Sequence, residues 1–182
     1  MDALADTKLC HSIRFGVEVG NEEMRRKVLN KNVRNRHLIW AADALHAKGI
    51  PIYVFIMFGV PYDSVAKTME TIELTRRLKP EYVYPSVFMP YRGLGITDKA
   101  LEGGYLTEED LRQLDDPKNQ RLRSIMRLPD LDKILNLHNF SIALIRHPWT
   151  APFLMKAASL KNNKLFNSFF LYSFFFFKEA FK

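Results

Sequence analysis

Between Gly49 and Gly59 the chain passes through Ile50-Pro51-Ile52-Tyr53-Val54-Phe55-Ile56-Met57-Phe58 without a single charged side chain. The run is far too short to span a bilayer, and it is rich in β-branched and aromatic residues. It therefore suits a strand buried on both faces, the environment of a parallel sheet. Parallel strands are not joined by tight hairpins; the chain crosses over between them, usually through a helix. This one feature predicts helices on either side of the run.

The flanks supply them. From Arg34 to Lys48 the residues Leu38, Ala41, Ala42 and Leu45 recur at helical spacing, with Gly49 where a helix C-terminus favours a left-handed residue. Beyond the run, Asp63 or Ser64 is the expected N-cap of a helix carrying Val65, Met69 and Ile72 and stopping at Lys79-Pro80. Upstream, Ser12 to Val17 reads as a strand, Gly20-Asn21 as a turn, and Glu22 to Leu29 as a helix capped by Asn21; Tyr82 to Phe88 reads as a third strand. Three βα units in succession imply parallel strands with right-handed crossovers. Three strands leave two unpaired edges and fall short of the roughly eight that close a barrel, so this α/β part is expected to be a piece of a larger assembly. After Gly103-Gly104-Tyr105 the expected elements are helices only, over Leu106 to Asp116 with Thr107 as cap, Leu131 to Ile145, and Thr150 to Leu160.

Composition narrows the chemistry. One cysteine, Cys10, supplies neither an internal disulfide nor the ligand set of a zinc or iron-sulfur site, and the five histidines have no metal-like spacing with acids. No dinucleotide, phosphate-loop, zinc-protease or serine-hydrolase motif occurs. The acidic start, Met1-Asp2-Ala3-Leu4-Ala5-Asp6, lacks a signal pattern, from which a cytoplasmic location is expected. The net charge of +7 is unevenly placed: Lys118 to Lys182 holds 11 basic and three acidic residues, whereas Met1 to Pro117 holds 16 and 17. Such asymmetry suits a near-neutral globular part and a basic tail facing an acidic partner or an anionic membrane. Leu165 to Phe177 is uncharged and phenylalanine-rich yet too short to span, so contact with a membrane through Leu165 to Phe181 would be peripheral. Nucleic acid is not an expected partner, since the tail carries no recognised nucleic-acid motif and its aromatics lie apart from most of its charges.

In parallel βα folds ligands bind at the carboxyl ends of the strands. Those positions hold Glu18 with Gly20, then Gly59-Val60-Pro61, then Pro90-Tyr91-Arg92-Gly93. The Glu18 carboxylate can accept both hydroxyls of a ribose, or it can simply pair with Lys31, Arg14 or Arg34. Lys31 can return from the first helix to meet a carboxylate, or remain a solvated lysine. Gly59 and Pro61 fit a tight loop passing a flat ligand, or plain turn chemistry.

At these positions the chain resembles a known family. The segments Cys10-His11-Ser12-Ile13-Arg14-Phe15-Gly16-Val17-Glu18-Val19-Gly20-Asn21-Glu22-Glu23, Val28-Leu29-Asn30-Lys31-Asn32-Val33, Met57-Phe58-Gly59-Val60-Pro61 and Phe88-Met89-Pro90-Tyr91-Arg92-Gly93 are similar, in order, to the second half of a radical S-adenosylmethionine barrel. The likeness is greatest to the group that carries an N-terminal cobalamin-binding domain. It covers Met1 to Leu106 and implies half of a partial TIM-type (βα)6 barrel, followed over 107–182 by a helical, basic, phenylalanine-rich extension. It further implies that Glu18 contacts the ribose of S-adenosylmethionine, with Gly20 beside it among the cofactor-binding positions, that Lys31 meets its carboxylate, that the loop Gly59-Val60-Pro61 runs by the adenine, and that the Pro90-Tyr91 loop closes the floor near substrate. The family's C-x-x-x-C-x-x-C motif, which holds the 4Fe-4S cluster, and its first three strands are absent. The expected role is thus a fragment or subunit of an iron-sulfur, cobalamin-group enzyme, inactive alone, whose partner is the missing half or a second copy. The alternative is a non-catalytic binding or scaffold module. Where the family has G-x-P-G-E-T this chain has Gly59-Val60-Pro61-Tyr62-Asp63-Ser64, placing tyrosine at a position where glycine is usual.

Overall fold

A computed structural model describes residues 11–115 and 124–169. Cys10, Lys118, and the tail from Phe170 through Phe181 to Lys182, on which several of the expectations above rest, lie outside the described residues. Three strands, β1 (Ile13–Glu18), β2 (Ile52–Phe58) and β3 (Tyr82–Val87), form one parallel sheet in the order β1-β2-β3. Between them run α1 (Glu22–Lys27) and α2 (Asn35–His46), then α3 (Val65–Leu78). After β3 come α4 (Gly95–Glu102), α5 (Glu108–Asp115), α6 (Leu131–Arg146), a 3-10 turn at Pro148–Thr150 and α7 (Ala151–Ala158). The α/β class and the run of βα units are as expected from the sequence.

Local chemistry accounts for the boundaries. The Asn21 side chain accepts the Met24 N–H at 2.9 Å and starts α1, which ends at Lys27, two residues earlier than its composition suggests, before Asn30 takes a positive φ of 49°. Ser64, rather than Asp63, caps α3 by accepting the Lys67 N–H at 3.3 Å, and Lys79 closes it in the left-handed region. Thr107 and Asp110 form a reciprocal cap at α5: Thr107 N–H donates to the Asp110 carboxylate at 2.7 Å and Asp110 N–H donates to the Thr107 hydroxyl at 3.3 Å. In β3, Pro85 has no N–H for the ladder, and the Ser86 hydroxyl donates instead to the Ile56 carbonyl at 3.1 Å.

One expectation is corrected. The run Ile50 to Phe58 is not buried on both faces. Ile52, Val54, Ile56 and Phe58 point into the core, whereas Tyr53 and Met57 are half-buried and Phe55 is 40% exposed. The registered neighbours Phe55 and Tyr84 stack at 5.0 Å between ring centroids, Tyr82 and Tyr84 approach to 4.7 Å, and the Arg14 guanidinium lies 5.2 Å from the Tyr53 ring. Buried residues of α2, α3 and α6 share one core with Ile52, Val54, Ile56 and Phe58 on the other face. A parallel sheet with one open aromatic face is unusual, because such sheets are ordinarily covered on both sides.

The covered face packs against α3 and α6. Helix α6 is buried all round from Ile134 to Ile145, which its amphipathic sequence pattern does not suggest; it lies between the sheet layer and the C-terminal helices. Its polar residues are paired. Asn136 donates to the carbonyls of Ala158 (3.1 Å) and Leu160 (2.7 Å) and accepts from Asn162 at 2.7 Å, and Asn139 donates to Asn167 at 2.9 Å. This network attaches the C-terminal segment to α6 in one register, since any shift would bury unsatisfied amides. The core is continuous from Val17 to Ala158, so the extension shares the hydrophobic core of the βα units. Among the described residues no helix is long and apolar enough to cross a membrane.

Candidate functional site

The parallel register brings the carboxyl ends of the three strands side by side, with Glu18 beside Ile56 and Phe58 beside Val87. β1 ends abruptly. Glu18 is held at φ 62°, a conformation that costs a non-glycine residue about 1–2 kcal/mol, and the ladder shifts register between Gly16 and Glu18. This strain needs an external support, and Arg25 supplies it. Its side chain is fully buried, and among the described residues no carboxylate is in hydrogen-bonding contact with it. Nε donates to the carbonyls of Val17 (3.1 Å) and Val19 (3.0 Å), Nη1 to that of Val33 (2.8 Å), and Nη2 to those of Val19 and Gly20. The planar fork thus spans both carbonyls flanking Glu18 and ties them to the segment after α1. Burial lowers the Arg25 pKa, while the charges of Glu22 and Glu18 raise it. Sequence reasoning misses Arg25, because Arg25-Arg26-Lys27 presents three similar cations on a short helix.

The Glu18 carboxylate folds back over Gly16. A Cβ on Gly16 would sit 1.8 Å from Glu18 Oε1 and 3.1 Å from Lys31 Nζ, so glycine is required there for the pair to occupy this place. Gly16 is in register with Phe55, which puts the carboxylate at the carboxyl end of the open aromatic face. Lys31 Nζ lies 3.3 Å from Glu18 Oε1 and also donates to the Gly16 carbonyl. Both partners are partly exposed, so the pair contributes at most about 1 kcal/mol to stability. Its position at the edge of β1 also shields an otherwise unpaired strand edge.

The other expected residues divide. Gly20 does not border the open face. A Cβ there would meet the Glu70 carbonyl at 2.3 Å, and its N–H donates to Thr71 Oγ1 at 2.8 Å, so Gly20 allows α3 to approach the β1 loop. Gly59, at φ 71°, follows β2 and donates its N–H to Asp63 Oδ2 at 2.9 Å. Val60 to Asp63 is a turn closed by Asp63 N–H to the Val60 carbonyl at 3.1 Å, with Pro61 leading and Tyr62 at φ 64°. Pro61 and Pro90 are both buried, and Tyr91 beside the latter is exposed. Asp63 is buried as the hub of the turn; burial raises its pKa against the opposing hydrogen bonds from Gly59, Ser64 and Thr68.

Tyr62 occupies the left-handed position where glycine is strain-free, and its ring meets Tyr105 edge-on at 5.0 Å. Tyr62→Ala and Tyr62→Gly both lose that contact, but only glycine relieves the backbone. Thermal denaturation should find the glycine variant about 1 kcal/mol more stable than the alanine variant. Equal midpoints would show that the turn relaxes out of the left-handed region.

Among the described residues no group of three His, Cys, Asp or Glu side chains is placed to hold a metal ion. What the arrangement offers is a carboxylate with an adjacent ammonium at a strand end, beside a face of stacked aromatic rings. That is the chemistry for a ligand carrying a diol, a carboxylate and a flat ring. The chain matches no protein-family model and no curated protein.

Proposed function

We propose that this chain forms the ribose- and carboxylate-binding side of a radical S-adenosylmethionine barrel. The observation that carries the reading is Glu18, held in a strained left-handed conformation by a buried arginine, with its carboxylate laid over Gly16 and paired to Lys31 at the open end of a parallel sheet. Strain maintained by dedicated hydrogen bonds is a mark of ligand sites. The open aromatic face supports the same reading, because it is the face that would line the interior if further strands continued the sheet.

The residues present fit one part of the cofactor set. Glu18 accepts the ribose hydroxyls and Lys31 meets the carboxylate, while Gly59 and Pro61 shape the adjacent loop and Pro90 the floor. A 4Fe-4S cluster does not fit this chain by itself, since three thiolates are needed to hold three of its irons and the sequence contains one cysteine. The remaining cluster ligands are therefore not supplied by this chain, and S-adenosylmethionine cleavage is not assigned to the chain alone.

Calorimetric titration with S-adenosylmethionine tests the proposal. Glu18→Ala removes two hydrogen bonds to a charged acceptor and should weaken binding by about 2–4 kcal/mol. Gly16→Ala displaces the carboxylate and ammonium without opening a cavity, so affinity should fall by a similar amount while the thermal midpoint changes little. Affinity unchanged in both variants would reduce the Glu18–Lys31 contact to a surface ion pair.

A further inference from the structure

The helix after Pro148 is apolar on both sides. Its inner side, with Leu154 and Ala158, packs on the core. Its outer side presents Pro152, Phe153 and Lys156, flanked by Trp149 in the preceding 3-10 turn and by Leu160 just beyond its last turn, and all five are exposed. Trp149 is 73% exposed, Phe153 74% and Leu160 58%. An amphipathic helix at the surface of a globular protein turns charged residues outward, so this stripe is expected to face something other than water.

Charge decides what. From Lys133 through Lys178 the sequence contains no aspartate or glutamate and six lysines and arginines. Asp130 and Asp132, at the start of α6, line a cavity with Leu160 and Lys161 at the end of the stripe away from Trp149, and Asp130 pairs with Lys133 at 3.2 Å. Glu81, near the Trp149 end through the bond from Arg146 to its carbonyl, has its carboxylate occupied by the Ile52 N–H at 2.7 Å, with His46 Nε2 at 3.5 Å. We propose that this face docks on an anionic lipid surface, with Trp149 and Phe153 at the boundary between headgroups and acyl chains and Lys156 reaching lipid phosphate. Tryptophan and phenylalanine beside lysine, in a stretch of sequence without an acid, is the composition of interfacial helices. The inference stands independently of the reading of the strand ends.

Flotation of the full chain with phosphatidylcholine vesicles, with and without phosphatidylserine, tests it. The chain should float with the anionic vesicles at low salt and be released as salt rises. Trp149→Ser with Phe153→Ser should lower the bound fraction about tenfold with an unchanged thermal midpoint, because both side chains are exposed. The phenylalanine-rich tail is present in both chains, so the difference reports this face alone. Lys156→Glu should weaken binding to the anionic vesicles. Equal flotation of wild type and double variant, or no flotation of the wild type, overturns the proposal. So does a dimer in light scattering that the same two substitutions dissolve.

Discussion

Arg25→Met is expected to lower the unfolding free energy by about 3 kcal/mol, measured by urea denaturation at neutral pH. The estimate follows from which carbonyls lose their only donor. Val17 keeps the N–H of Val19 at 2.9 Å, and Gly20 keeps the Asn35 side-chain amide at 2.9 Å. Among the described residues the carbonyls of Val19 and Val33 have no other donor; that of Val19 is buried and left unsatisfied costs about 1–3 kcal/mol, and that of the half-buried Val33 adds less. Methionine restores part of the packing volume and removes the desolvation cost of a buried cation, which offsets some of the loss but does not supply donors. Arg25→Lys should fall between, since one ammonium cannot span carbonyls on both sides of Glu18. A loss below about 1 kcal/mol for the methionine variant would mean that water replaces the guanidinium and that the left-handed Glu18 needs no such support. On the proposed S-adenosylmethionine site, the same variants should weaken binding as well, because Arg25 positions Glu18 without itself reaching the open face.

What could be read ahead of the structure divides along physical lines. The strands and the crossover helices were legible because apolar runs, glycine boundaries and polar caps agree at Asn21, Ser64 and Gly49. Helix α4 was not: it begins at Gly95 after Leu94, which makes no side-chain cap bond. Glu18 stood out as the one carboxylate ending a strand between glycines, and its pairing with Lys31 was among the alternatives open from sequence. The open face was hidden for a different reason. Tyr53, Phe55 and Met57 are as apolar as Ile52, Val54 and Ile56, so nothing in the run itself says that one face lacks a covering layer. Arg25 was hidden because its distinction is geometric, lying in which of three adjacent cations turns inward toward the β1 loop.

Acidification from pH 6.5 to 4 should destabilise the fold through His138 by up to about 3 kcal/mol. The imidazole is buried in α6, edge-on to Phe58 at 5.5 Å and with Nδ1 3.2 Å from Asn139 Oδ1, and burial pushes its pKa down to about 4. The unfolded chain takes up the proton near pH 6.5 and the folded chain does not, so stability is full above 6.5 and falls as the pH drops toward 4. Asp63 acts in the opposite sense. Its raised pKa means that the folded state binds a proton before the unfolded state does, so its protonation favours folding over the acidic end of the same range. His138→Gln removes the first effect and Asp63→Asn the second. Thermal midpoints followed between pH 7.5 and 4.5 should therefore fall less steeply than wild type in the glutamine variant and more steeply in the asparagine variant. A wild-type slope retained in His138→Gln would show that carboxylates, not the buried imidazole, carry the acid sensitivity. The location of His138 gives that slope a structural consequence: protonation would draw the ring away from both Phe58 at the end of β2 and Asn139, so acid should loosen the support of the strand ends together with the Asn139 attachment of the C-terminal segment.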